Sequence, residues 1–136
     1  MNSQSRILVL EDEKWQADPF RSMLEYRGFS VRCASSVGDA LAVIESFDPC
    51  TIVVDLHLVH AVDERDGFDF IRLVRQSFGM RHGILAWTSQ YVNARDEIRC
   101  LRTGADAYVE KDADFGLIEA RLEALMRRVR AGSTSP

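Results

Sequence analysis

The sequence predicts an α/β protein, a doubly wound parallel sheet of five strands with five helices. Two observations predict it. Short apolar runs alternate with stretches at helical spacing along the chain, the pattern of a βαβ series. The runs Ile7–Leu10, Thr51–Val54, Ile84–Trp87 and Ala107–Glu110 each end in polar residues: Glu11 with Asp12, Asp55, Thr88 and Lys111. Parallel strands of one sheet would deliver all five to one edge, where open α/β sheets bind their ligands.

The elements follow in order. The first strand is Arg6–Leu10, then a helix over Gln16–Arg27 with Phe20, Met23 and Leu24 on one face. Pro19 fits that helix only in its first turn, and Gly28 ends it. A short strand, Ser30–Ala34, precedes a helix with Ser36 as N-cap and Ala40, Leu41, Val43 and Ile44 inward. Asp48-Pro49 breaks the chain before the third strand, Thr51–Leu56, whose nearly continuous apolar run suits a central strand covered on both faces. A polar loop, His57–Asp66, leads to a helix over Phe68–Phe78 with Phe70, Ile71 and Val74 inward.

The fourth strand is Gly83–Trp87. The fourth helix, Val92–Arg102, is weakly amphipathic, with Ile98 and Leu101 as its main apolar residues and Gly104 as its cap. The fifth strand is Ala107–Val109. The last helix, Asp114–Arg130, carries a core stripe of Phe115, Ile118, Leu122, Leu125 and Val129 and ends in Arg127, Arg128 and Arg130, which complement its dipole. Residues 5–130 are expected to form one domain and residues 131–136 a disordered tail.

Bulk properties exclude several classes. At 136 residues and 46% hydrophobic, the chain is long enough for one sizeable core. A net charge of −4 argues against direct nucleic-acid binding. No apolar stretch approaches the roughly 20 residues a membrane helix needs, and the polar N-terminus does not read as a signal peptide. Cys33, Cys50 and Cys100 are odd in number and widely spaced, as expected of reduced thiols in a cytoplasmic protein. Trp15 and Trp87 read as packing residues, and the acid- and histidine-rich stretch His57, His60, Asp63 and Asp66 as a hydrophilic loop.

At the common edge, three carboxylates would repel one another and so call for a divalent cation. A hydroxyl and a lysine beside them complete the outline of a phosphoryl-transfer site.

The segments ILVLEDE (7–13), TIVVDLHL (51–58), DGFDFIRLVR (66–75), ILAWTS (84–89) and GADAYVEK (104–111) together resemble the receiver domain of two-component response regulators. The resemblance implies a flavodoxin-like fold with strand order 2-1-3-4-5. It implies that Asp55 accepts the phosphoryl group. Glu11, Asp12, Asp55 and the backbone carbonyl of His57 would hold Mg²⁺. Lys111 would contact the phosphoryl group, Thr88 would bond it once attached, and Tyr108 would swing inward on activation. It further implies self-catalysed phosphorylation and autodephosphorylation, and a sensor histidine kinase or histidine phosphotransfer protein as donor. A downstream effector, or a second copy of the chain, would read the fourth helix, fifth strand and fifth helix.

The chain departs from the family pattern in three places. Asp112 stands where a proline usually follows the lysine, Val59 stands where another proline is usual, and the stretch between Leu58 and Asp66-Gly67 is longer than usual. His57 and Gln90 occupy the positions that tune dephosphorylation in the family. Two rivals remain open on the residues. One is a degenerate receiver that docks partners without phosphorylation. The other is a Mg²⁺-dependent phosphatase with an aspartyl nucleophile, a class that usually carries D-x-D after the first strand, where this chain has Glu11-Asp12-Glu13.

Overall fold

The computed structural model describes residues 5–89 and 94–134. Among them the order is β1 (Arg6–Leu10), α1 (Lys14–Tyr26), β2 (Ser30–Ala34), α2 (Val37–Phe47), β3 (Thr51–Val54), α3 (Gly67–Phe78), β4 (Gly83–Thr88), α4 (Ala94–Thr103), β5 (Ala107–Glu110) and α5 (Phe115–Thr134). The strands form one parallel sheet in the order β2-β1-β3-β4-β5, as the resemblance implies.

Each sheet face carries its own core. Leu8, Leu10, Ile52, Val54, Ile84 and Ala86 pack against α2, α3 and Cys100 of α4. Ile7, Val9, Val53, Leu85, Trp87 and Val109 pack against Phe20 and Leu24 of α1 and Ile118, Leu122 and Leu125 of α5. The two sets alternate along each strand, as the pleat requires. β3 and β4 are buried at every position, which explains their unbroken apolar runs.

Local signals set the helix ends. The Ser36 hydroxyl accepts the Asp39 N–H at 3.1 Å. Asp66 and Asp69 form a reciprocal capping box at the start of α3. Gly28, at φ +95°, closes α1 in a Schellman motif: its N–H donates to the Glu25 carbonyl and that of Phe29 to the Leu24 carbonyl.

Several expectations need correction. α1 starts at Lys14, so Pro19 lies beyond the first turn and inside the helix. It leaves the Trp15 carbonyl without its i+4 donor. Met23 is 45% exposed, and Ala17 instead joins Phe20 and Leu24 in the core. Trp15 is 72% exposed, whereas Trp87 is buried. In α4 the buried residue is Cys100; Ile98 and Leu101 face solvent. The start expected for that helix, Val92, lies outside the described residues, as does Gln90.

α5 continues past Arg130 through residues 131–134, so the arginines do not form its last turn. Arg128 instead reaches the Asp106 carboxylate at 2.8 Å, where Arg75 of α3 also donates at 3.0 Å and the Ile84 N–H at 2.8 Å. This cluster ties α3, α5 and the start of β5 together at the end of the sheet away from Asp55.

Two features make stability predictions. A Cβ on Gly67 would stand 2.2 Å from the Asp55 carbonyl oxygen, which is backbone and cannot step aside. Gly67→Ala should therefore cost about 1–3 kcal/mol in urea unfolding. Gly132→Ala, with nothing within 4 Å of the new Cβ, should be neutral or stabilising.

Burial holds the pKa of His82 below its ordinary 6.5. Its Nδ1–H donates to the Pro49 carbonyl at 2.6 Å, and its Nε2 has no partner among the described residues. Below about pH 6.5 the unfolded chain binds a proton that the folded ring resists, so stability present above that pH falls as the solution is acidified. Denaturant titrations from neutral to mildly acidic pH should show this loss, and His82→Asn should flatten it.

Candidate functional site

The register of β1 against β3 builds the site. Leu10 pairs with Val54, so the next residues, Glu11 and Asp55, emerge side by side. Both remain tied to the sheet beyond the strand ends: the Glu11 N–H donates to the Ala34 carbonyl at 3.1 Å, and the Asp55 N–H to the Leu10 carbonyl at 3.0 Å. Glu11, Asp12 and Asp55 each offer a carboxylate oxygen, and these atoms lie within 4.8 Å of one another.

Lys111 comes from the far edge of the sheet. Its N–H donates to the Thr88 carbonyl at 2.7 Å, which fixes where its side chain leaves β5. The chain then crosses Trp87, with Nζ 4.6 Å from the ring centroid, and Trp87 is itself stacked on Phe20. Nζ ends 3.0 Å from Glu11 Oε1, 3.4 Å from Asp55 Oδ2 and 2.8 Å from Gln16 Oε1. One ammonium thus meets two carboxylates and an amide oxygen, in a cluster of three carboxylates.

That imbalance appears in the protonation of Glu11. Its pKa is pushed up to about 9, first by burial and then by the hydrogen bond and negative charge of Asp55, with Lys111 offsetting part of the rise. Glu11 Oε2 is buried with no hydrogen-bond partner among the described residues. A hard divalent cation fits this donor set: it takes oxygen ligands, would satisfy the orphaned oxygen and would offset the crowded negative charge.

Thr88 ends β4, buried, and its hydroxyl has no partner among the described residues. By strand alternation it lies on the same sheet face as Ala86 and Tyr108, the face that α4 covers. Tyr108 is half-buried against that core, and burial raises its pKa. The His57 N–H donates to Asp55 Oδ1 at 3.2 Å, while the His57 ring turns away to Asp96 of α4, with Nε2 at 3.2 Å from Oδ2.

Two contributors, Gln16 and Gly67, and one set of contacts, those of Asp12 with the loop, escaped the sequence reading. Gln16 holds Lys111, and no spacing rule pairs residues so far apart. Gly67 lets α3 approach the Asp55 backbone; the Asp66-Gly67 pair was visible, but its contact was not. Asp12 accepts the N–H groups of Val59, His60 and Ala61 at 3.1, 2.6 and 3.4 Å, which ties the long loop to the site. Beside Lys111 runs a groove of about 350 Å³, lined in part by Trp15, Pro19, Met23 and Phe115.

Comparison with known proteins gives the family and the fold. The model of the Response regulator receiver domain family matches residues 7–123. The chain is 28% identical over 123 residues to the response regulator protein GraR of Staphylococcus saprophyticus, covering 90% of this chain and 52% of that protein. The match to GraR of Staphylococcus aureus is 27% over 124 residues, again with 52% of that protein covered. The chain thus spans about half the length of the curated relatives it matches.

Among solved structures, the BeF3-activated N-terminal receiver domain of RstA from Klebsiella pneumoniae superposes with a TM-score of 0.80 at 24% identity, covering 90% of this chain and 98% of that one. NtrX from Brucella abortus gives a TM-score of 0.85 at 20% identity, covering 94% of this chain and 28% of that one. These two likenesses concern the fold. The family match spans most of the chain, and the chain belongs to the response regulator receiver domains of two-component systems.

Proposed function

We propose that this domain accepts a phosphoryl group on Asp55 from the phosphohistidine of a sensor histidine kinase or histidine phosphotransfer protein, and thereby changes its affinity for a downstream effector. The observation that carries this reading is the meeting of Glu11, Asp12 and Asp55 with the ammonium of Lys111 at the carboxyl edge of the sheet. Glu11, Asp12, Asp55 and the His57 carbonyl would hold Mg²⁺, whose charge offsets the repulsion between a carboxylate nucleophile and phosphoryl oxygens.

In the transfer, an Asp55 oxygen bonds to phosphorus as the nitrogen–phosphorus bond breaks. The departing imidazole keeps that electron pair and takes up a proton from solvent. A carboxylate is a weak nucleophile, so placement carries the step. The Asp55 backbone is pinned by Leu10, and Gly67 packs against its carbonyl. Lys111 supplies a compact positive charge that can turn from Glu11 toward the incoming group.

Readout follows from the new charge. The Thr88 hydroxyl, buried without a partner among the described residues, gains an acceptor in the phosphoryl oxygens. Tyr108, on the same face, would move into the space it vacates. The surface of α4, β5 and α5 then shifts between two packings, toward an effector or a second copy of the chain. The outward-facing Ile98 and Leu101 of α4 support this reading, because they leave that helix held chiefly by Cys100.

Intact mass after incubation with a small phosphodonor and Mg²⁺ tests the proposal. One phosphoryl group should add, and Asp55→Ala or removal of Mg²⁺ should abolish it. No adduct, with no fluorescence response to beryllofluoride, would favour phosphorylation-independent docking. Multiple turnover on a phosphomonoester would favour an aspartyl phosphatase.

Thr88→Ala separates chemistry from switching. It should still take up the phosphoryl group, within about tenfold of the wild-type rate, because general positioning is intact. Exchange protection in α4 and β5, which should change on phosphorylation of the wild type, should then stay as it was.

A further inference from the structure

We infer that the long loop after β3 is a brake on the cation site, fastened through Asp12 and released when the cation binds; this rests on the reading of Glu11, Asp12 and Asp55 as cation ligands. Asp12 is the proposed ligand that also holds the loop. Its Oδ1 accepts from the Val59 N–H at 3.1 Å, and its Oδ2 from the His60 and Ala61 N–H groups at 2.6 and 3.4 Å. A carboxylate has about four lone-pair sites, so these amides occupy most of its capacity. A divalent cation and three amide hydrogens all present positive charge to the same two oxygens. Gaining one weakens the others.

The rest of the loop is built to hold that position and to gain from leaving it. Asp63 fastens the far half, accepting from the Gly38 N–H of α2 at 2.9 Å and from the Arg65 side chain at 3.0 Å. The His60 ring lies 3.6 Å from Glu13. Ala61, within the stretch held by Asp12, and Glu64, just past Asp63, sit at φ +40° and +62°, left-handed conformations that are strained for residues with a side chain. Val59 and Val62 stand exposed over the stretch. Letting go of Asp12 would relieve Ala61 while Asp63 keeps the loop attached.

Val59 is central because it supplies an N–H where a proline would supply none. The sequence departure and the loop length therefore act in one direction: both bring amide donors to Asp12.

Two measurements on the whole chain test this. The first is amide exchange at residues 59–61, with and without Mg²⁺. Protection should be present without the cation, should be lost in Asp12→Ala, and should fall in the wild type as Mg²⁺ is added. Protection that rises with Mg²⁺, or that ignores Asp12, would overturn the brake. The second is a Mg²⁺ titration followed by tryptophan fluorescence. Removing one donor with Val59→Pro should tighten binding by about two- to tenfold, the worth of one hydrogen bond. Equal or weaker binding in a folded Val59→Pro would mean that the loop scaffolds Asp12 rather than restrains it. If Val59→Pro fails to fold, the wild-type exchange experiment decides alone. If the wild type binds no Mg²⁺ at all, the reading of the carboxylates fails and the brake with it; Mg²⁺ binding without loop release would defeat the brake only.

Discussion

The structure depends on the crowding of three carboxylates at one edge of a parallel sheet. Glu11 and Asp55 are neighbours because Leu10 pairs with Val54, and that register is fixed by strands with no exposed position on β3. A slip of one residue would exchange the side chains packed into the two cores, each of which is filled by its own set. Packing of the apolar core therefore holds two like charges together. The molecule answers with a lysine carried across Trp87 from the opposite edge, and with a Glu11 that holds its proton far above the ordinary range. Both responses leave the site short of positive charge, a condition that favours a bound cation.

The surrounding elements can be read by their distance from that crowding. At the far end of the sheet, Asp106 gathers Arg75, Arg128 and the Ile84 amide, and the α3–β5–α5 junction is held by charge-assisted bonds. At the near end two parts are held differently. Thr88 has a hydroxyl with no partner among the described residues, and α4 buries Cys100 while showing Ile98 and Leu101 to solvent. A buried hydroxyl without a partner among the described residues and a helix anchored chiefly by one buried side chain are the parts that a new charge at Asp55 would move most easily.

Much of this was legible in the residues, and the misses share a cause. The strands, the caps at Ser36 and Gly28, and the clustering of Glu11, Asp12, Asp55 and Lys111 follow from periodicity, turn chemistry and sheet geometry. Periodicity did not say which flank of a helix would be covered. Met23 and Leu101 sit at plausible core spacings, yet α1 and α4 turn them to solvent. Trp15 was expected inside because tryptophan usually is, but it borders a groove beside Lys111. Pro19 pointed to a later helix start; α1 begins at Lys14 and tolerates the lost bond at the exposed Trp15 turn. Arg128 looked like a helix end because its partner, Asp106, is remote in sequence. The loop's hold on Asp12 was hidden for a different reason: its donors are backbone amides, and side-chain identity does not announce where an amide will point.

The most direct test of the central claim locates the phosphoryl group. An acyl phosphate is reduced by hydride to an alcohol, whereas phosphoserine, phosphothreonine and phosphohistidine are not. After incubation with a phosphodonor and Mg²⁺, hydride treatment and peptide mapping should find reduction at Asp55 and nowhere else. Reduction at Asp12 or another carboxylate, or a stable phosphoryl group on a hydroxyl or imidazole, would contradict the account.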